Sequence, residues 1–358
     1  MSAEASTLNL SPQKFDFFDA DIDEAIERIG SLAGKKYHGT SVVTFVYKHF
    51  TSSFDQMTSL SLSAREKLKD LVDISPLPIR RKLISKDGTV KFLFEVQTMK
   101  GPQEIEAVYI PDDSRVTLCV SSQVGCKMAC EFCLTAQLGF KTHLSVGDIV
   151  RQFYTASLEP DLRPITNIVF MGMGEPFDNF DNVRKATRIL TDTRGFDLSG
   201  RKITVSTVGL VEKIDQLTKE DPFRLAVSLN ATTDELRSRI MPVNRRWNLE
   251  ELMRACRDYS KRTNKRITFE YILMKDLTDR DEDAKRLIQL MSGLRCKINL
   301  IPYNESSFTE FKRPDDDRIQ AFHARLLKAQ FPVFIRKNRG NDIFAACGML
   351  KKLQPQQN

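Results

Sequence analysis

Three of the chain's seven cysteines fall within eight residues, Cys126-x3-Cys130-x2-Cys133 in the stretch CKMACEFC. Thiolates at such density point to a metal or a cluster. Gaps of three and two residues keep to no single face of a helix or strand, so three unrelated core cysteines account for them poorly. Structural zinc takes four ligands, usually as two close pairs; no second pair is present here, although Cys119 or Cys347 could supply a fourth ligand. A 4Fe-4S cube held by three thiolates fits better, because it leaves one iron open to an exogenous ligand. An eight-residue loop can wrap three corners of such a cube.

Around this loop, seven short β-branched runs alternate with helical stretches: RVTLCVSS, ITNIVFMG, KITVSTVG, RLAVSLNA, RITFEYIL, CKINLIPY and FPVFIRK. The intervening SVGDIVRQFYTASL, NLEELMRACRDYSKRT and DEDAKRLIQLMSGL are long enough for right-handed crossovers. The alternation predicts a parallel sheet covered by helices, as an open sheet or a barrel, with ligands beyond the carboxyl ends of the strands. At that rim fall the three cysteines, then Gly172-Met173-Gly174-Glu175-Pro176, Ser206, Ser228-Leu229-Asn230 and Asn304. Before the sheet, RRKLISKDGTVKFLFEV reads as a hairpin turning at Asp87-Gly88, followed by the strand EIEAVYIP. The first 75 or so residues carry three amphipathic helical runs and read as a small accessory domain.

The chain has 358 residues, 41% of them hydrophobic and 28% charged, the balance of an ordinary folded protein. No apolar run reaches the roughly 18 to 20 residues of a spanning helix, so no membrane partner is expected. The first residues lack the basic start and apolar core of a secretory signal, and the cytoplasm is the expected compartment. The net charge of +7 favours a polyanionic partner. Basic residues cluster at Arg80-Arg81-Lys82, at Arg245-Arg246 beside the single tryptophan Trp247, and at 261–266 and 336–339. Arg80, Arg81, Arg245 and Arg246 are candidate phosphate contacts.

The triplet, with Phe132 before its last cysteine, resembles the radical SAM signature. From about residue 20 to 352 the chain resembles the RlmN/Cfr family of RNA methyl synthases, in TLCVSSQVGC, FMGMGEP, MPVN, CKINLIPYN and AACG. That resemblance implies a partial (β/α)6 radical SAM barrel with a helical N-terminal domain and a short hairpin linker. The corresponding division is 1–75 for the accessory, RNA-docking domain, 76–111 for the hairpin, 112–345 for the core and 346–358 for a C-terminal segment. It implies a 4Fe-4S cluster on Cys126, Cys130 and Cys133, and two molecules of S-adenosylmethionine (SAM) per turnover. Gly174, Glu175, Ser206, Ser228, Leu229, Asn230 and Asn304 match SAM-holding positions. In the family one SAM methylates a cysteine, which here is Cys347; Cys119 matches the thiol that later closes a disulfide with it, and Glu106 the proton acceptor. The implied partners are 23S rRNA, tRNA and an electron donor such as flavodoxin, with a monomer as the expected state. One departure is Asn230, where many relatives carry histidine; it can hydrogen-bond but cannot titrate. Cys256 and Cys296 read as packing residues.

Carbon 2 of adenine is the expected target, with GMGEP and the longer helical N-terminal domain favouring it over the carbon-8 methylation of Cfr. A different class stays open beside these: a non-catalytic zinc or iron-sulfur module that holds RNA through its basic patches.

Overall fold

The computed structural model describes residues 14–306, 308–345, 348 and 349. Its main sheet has ten strands: β1 (Ile79–Ile84), β2 (Val90–Thr98), β3 (Gly101–Pro111), β4 (Val116–Cys119), β5 (Asn167–Phe170), β6 (Ile203–Thr207), β7 (Arg224–Ser228), β8 (Ile267–Leu273), β9 (Cys296–Pro302) and β10 (Val333–Ile335). They lie side by side in chain order. From β4 to β10 every pairing is parallel, and these are the seven apolar runs of the sequence. No pairing joins β10 to β1 among the described residues, so the sheet is a partial barrel and not a closed one. Strands such as β6, ITVST, are buried on nearly every residue because helices cover one face and the barrel interior the other.

The expected hairpin forms and does more than link. β1, β2 and β3 run antiparallel, and β3 pairs with β4 through Val108↔Cys119 and its neighbours, so the hairpin extends the main sheet.

Crossover helices begin where local chemistry satisfies their free N–H groups. α4 (Val146–Ser157) starts at a capping box made by Ser145 and Asp148, and α6 (Leu249–Thr263) at one made by Asn248 and Glu251. Between them lies α5 (Phe180–Thr191), and α7 (Asp281–Met291) and α8 (Asp316–Leu326) follow. The N-terminal helices α1 (Ile22–Ala33), α2 (Lys36–His49) and α3 (Leu62–Leu71) pack on the barrel through a shared aromatic core of Phe17, Phe18, Tyr47, Tyr154 and Phe196. Arg151 of α4 locks this junction. Its guanidinium, buried against Phe18, donates to Asp16 at 2.7 Å, Asp73 at 3.2 Å and the Ser75 carbonyl at 2.9 Å. No helix is long and apolar enough to cross a membrane.

Candidate active site

A cavity of about 980 Å³, counting its open mouth, lies at the carboxyl ends of the parallel strands. The loop carrying the cysteines forms one wall. Its base is closed where Gln123–Val124 pairs antiparallel with Thr142–His143. Gly125 is required there: its φ is +75°, and a Cβ would sit 1.7 Å from the Gly139 carbonyl oxygen. Cys126 N–H donates to that same carbonyl at 3.2 Å, and Glu131 N–H ties the loop to the Ile240 carbonyl at 3.0 Å.

Cys126, Cys130 and Cys133 all line the cavity. Among the described residues no three His, Cys, Asp or Glu side chains gather at the spacing of a single ion. Three thiols lining one pocket are the donor set of a cluster that keeps one iron open to an added ligand. Burial pushes the Cys126 thiol up to about 12 and that of Cys130 well above its usual value. Iron bound there would supply the positive charge that brings such buried thiols to the thiolate form.

The GMGEP loop after β5 forms another part of the lining. Gly172, Gly174 and Glu175 line the cavity. A side chain at Gly174, whose φ is +101°, would strike Gln123 with 2.6 Å between the two Cβ atoms. Glu175 is buried, and its two carboxylate oxygens accept from Phe177 N–H and Val208 N–H, each at 2.9 Å, tying the loop after β5 to the loop after β6. Burial outweighs these bonds and raises its pKa to about 7. A cationic group arriving in the cavity would favour its charged form.

Ser206, Ser228, Asn230 and Asn304 also line the cavity. Leu229 does not. Its side chain is fully buried in the core, because it stands between Ser228 and Asn230 where the side-chain direction alternates. Asn230 has a left-handed backbone, φ +58°, which asparagine tolerates better than most residues. Its Oδ1 accepts from Ile272 N–H at 3.1 Å and its Nδ2 donates to the Met241 sulfur at 3.3 Å, so the amide braces the start of a loop against β8.

Glu106 and Cys119 lie beside this cavity rather than in its lining. Glu106 on β3 is 1% exposed and Cys119 on β4 is 4% exposed. Cys119 pairs directly with Val108, two residues from Glu106, so both side chains share one face of the sheet. Ser121 Oγ donates to the Glu106 carbonyl at 2.6 Å. Cys347 lies outside the described residues, but the chain on either side of it is held. The Phe344 carbonyl accepts from Lys91 Nζ at 3.2 Å, and the Gly348 carbonyl accepts at 2.9 Å from Leu134 N–H, next to Cys133. Gly348 itself lines the cavity.

The sequence reading assigned no site role to four charged residues, one of which, Arg336, it had noted only as part of a basic cluster. Glu270 on β8 lines the cavity, with its Oε1 accepting from Asn299 Nδ2 at 2.9 Å and its Oε2 without a hydrogen-bond partner among the described residues. Arg336 lines the cavity near it. Arg237 is fully buried behind it and donates to the Val208, Ser228 and Leu229 carbonyls and to Asn244 Oδ1. Lys91 is buried against Glu106. A charge inside an otherwise apolar strand, as in RITFEYIL or TVKFLF, was the available signal.

Arg80, Arg81, Arg245 and Arg246 are exposed. Arg80 already pairs with Glu95, and Arg246 stacks 4.4 Å over Trp247 while donating to Glu212 at 2.8 Å.

Comparison with known proteins places this geometry. A family model described as the radical SAM superfamily matches residues 120–288, and one described as the ribosomal RNA large subunit methyltransferase N-terminal domain matches 15–74. The chain is 45% identical over 336 residues to dual-specificity RNA methyltransferase RlmN 2 of Myxococcus xanthus, covering 91% of this chain and 88% of that one. It is 44% identical to dual-specificity RNA methyltransferase RlmN of Syntrophotalea carbinolica, with 94% and 90% covered. A crystal structure of a radical SAM methyltransferase from Sphaerobacter thermophilus superposes with a TM-score of 0.88 at 39% identity, over 94% of this chain and 98% of that one.

Proposed function

This chain belongs to the RlmN family of radical SAM RNA methyltransferases, enzymes that use a 4Fe-4S cluster and SAM, and on that premise we propose that it methylates carbon 2 of a specific adenosine in 23S rRNA. The same reaction on the adenosine 3′ of the anticodon in tRNAs belongs to this reading. One observation carries it: Glu106 and Cys119 share one face of the sheet beside the cavity that the three cluster cysteines line, and of the described residues near Cys347, Phe344 is hydrogen-bonded to Lys91 on that face and Gly348 to the cluster loop.

In this proposal Cys126, Cys130 and Cys133 hold the cluster, and Gly174, Glu175, Ser206, Ser228, Asn230 and Asn304 hold SAM, with Leu229 contributing only its backbone. When bound, the cluster and SAM supply a 5′-deoxyadenosyl radical. The protein's own residues do the rest. Cys347 carries a methyl group: one of its hydrogens goes to the 5′-deoxyadenosyl radical, its carbon joins the adenine, and the single surplus electron leaves to the redox couple that the bound cluster would supply. Carbon 2 is electrophilic, so attachment is feasible, and its hydrogen must leave as a proton, for which Glu106 is the acceptor. The Cys119 sulfur then bonds to the Cys347 sulfur. The sulfur–carbon bond breaks, and the carbon keeps its electron pair and takes a proton to become methyl. Two sulfurs are oxidised to a disulfide while the carbon is reduced, so this release needs no outside oxidant.

The proposed division of labour assigns 1–75 to RNA docking, 76–111 to the hairpin, 112–345 to the radical SAM core and 346–358 to the methyl-carrying segment. The expected monomer and a flavodoxin-like donor remain part of the proposal. Nucleosides from a strain lacking the gene test the target: loss of 2-methyladenosine supports it, and loss of 8-methyladenosine alone overturns it.

A further inference from the structure

The hairpin that extends the sheet carries an ammonium where an apolar side chain would be ordinary. Lys91 on β2 is 3% exposed. It stands directly opposite Val108 on β3, which stands opposite Cys119 on β4, so a row across three strands puts Lys91 and Cys119 on the same face, with Glu106 diagonally between them. The Lys91 Nζ lies 3.4 Å from Glu106 Oε1 and donates to the Phe344 carbonyl at 3.2 Å.

The turn of the same hairpin grips the same C-terminal segment. Ser85 Oγ donates to Asp342 at 2.6 Å, Lys86 N–H to Asp342 at 3.2 Å, and Gly340 N–H to Asp87 at 3.0 Å. Residues 340–344 are therefore pinned along the hairpin, and the chain reaches Phe344, three residues before Cys347, already fixed over the face that carries Glu106 and Cys119.

We propose that Lys91 is a positioning residue for the release half of the reaction, one ammonium that both orients the Glu106 carboxylate and anchors the segment delivering Cys347. This rests on the roles given above to Glu106 and Cys347. The chemistry follows from burial. A carboxylate taken out of water favours its protonated form, and a neighbouring ammonium restores the anion that can accept a proton. Burial pulls the Lys91 pKa down while Glu106 pulls it up, and among the described residues Glu106 is the one charged group that acts on it. Without the ammonium, Glu106 loses a buried cation that favours its anion, and it accepts the proton leaving carbon 2 less readily. The joined protein–RNA species then persists, because the sulfur–carbon bond is cut only after that proton has gone.

The test uses full-length, anaerobically reconstituted protein and a transcript of the 23S rRNA segment, comparing the parent with Lys91→Met, Lys91→Arg and Glu106→Gln. Intact mass reads methyl loading of Cys347, a denaturing gel reads protein joined to RNA, and nucleoside mass spectrometry reads product. Lys91→Met is expected to load methyl within about twofold of the parent, to accumulate the joined species, and to lose product by ~10²-fold or more, the scale of a misplaced general base, with Lys91→Arg recovering part of the loss. Product release at the parent rate, or loading and product falling together, overturns the inference. Glu106→Gln separates it from its foundation: if that variant releases product normally, the base assignment fails; if it stalls while Lys91→Met does not, the role of Lys91 fails. Should Lys91→Met not fold, Asp342→Ala leaves Lys91 and Glu106 in place and loosens only the outer grip. It is expected to speed proteolysis within 340–345 and slow product formation without trapping RNA, and unchanged proteolysis overturns the anchoring.

Discussion

The parallel and antiparallel parts of the sheet hold their functional groups by different means. On the parallel side, charged side chains are spent on backbone: Glu175 accepts from two N–H groups on neighbouring loops, and Arg237 donates to three carbonyls at the ends of β6 and β7. On the antiparallel side, they are spent on one another and on a distant segment, as Lys91 with Glu106 and Phe344, and Ser85 with Asp342. The first arrangement makes a cradle whose loops cannot shift independently. The second makes a clasp on a chain end, which can hold a carrier residue without building it into the core. A reaction needing both a fixed cofactor and a cysteine that changes partners fits that division.

The largest test of the contrast separates the two sides chemically. Cys130→Ala is expected to lose iron and 5′-deoxyadenosine formation together, with activity falling by more than ~10⁴-fold, since the radical has no source. Cys119→Ala is expected to keep iron and 5′-deoxyadenosine and to lose only released product. Iron content and nucleoside assays on both variants check this, and equal loss of 5′-deoxyadenosine in the two would erase the division.

Stability gives the next contrast. Arg237→Met leaves several buried carbonyls without their donor, and is expected to cost roughly 2–4 kcal/mol in denaturant unfolding. Asp342→Ala, at an exposed residue, is expected to leave the unfolding midpoint close to the parent's. A cost for Asp342→Ala as large as that of Arg237→Met would make the clasp part of the core.

A pH experiment sharpens the picture on the outer side of the parallel half. Burial raises Asp148 from its ordinary value to about 6, and Asp19 and Asp16 add to the shift while the Ser145 N–H and Arg151 oppose it. The folded chain thus holds this proton more tightly than the unfolded chain does. The contribution favours folding most below about pH 4 and is lost as the pH rises through 6, by at most about 3 kcal/mol. Asp148→Asn keeps an oxygen for the cap and is expected to flatten that slope, which urea midpoints at pH 4, 5, 6 and 7 would record. An unchanged slope would place the titration elsewhere.

The smallest effect expected is at the exposed basic turn. Arg245→Glu with Arg246→Glu should weaken RNA binding several-fold and lower its salt dependence by one or two ions' worth of slope. Unchanged affinity and slope would remove that turn from the RNA surface and leave docking to the N-terminal helices.

Much of this was legible before the fold was seen. The seven apolar runs became the seven parallel strands because a strand buried on both faces must be apolar along its length. The cysteine triplet and GMGEP stood out because their spacing serves no regular element. Leu229 was read among the SAM-holding positions, but its side chain is buried in the core, away from the cavity. Lys91 left a signal, a charge inside an apolar strand, that the reading passed over, whereas Arg237 reads in sequence as one more surface charge and is buried only because residues far along the chain close over it.

The sequence by itself determined the elements, the cluster loop and the family, since local periodicity and close spacing are written within a few residues. Only the tertiary structure decided that the hairpin joins β4 as part of one sheet, that Glu106 and Cys119 share a face, and that residues 340–344 run along the hairpin turn. Those are pairings such as Val108 with Cys119, 11 residues apart, and Ser85 with Asp342, 257 residues apart. Their energy comes from burying charges and backbone groups that find partners only when the whole chain has folded.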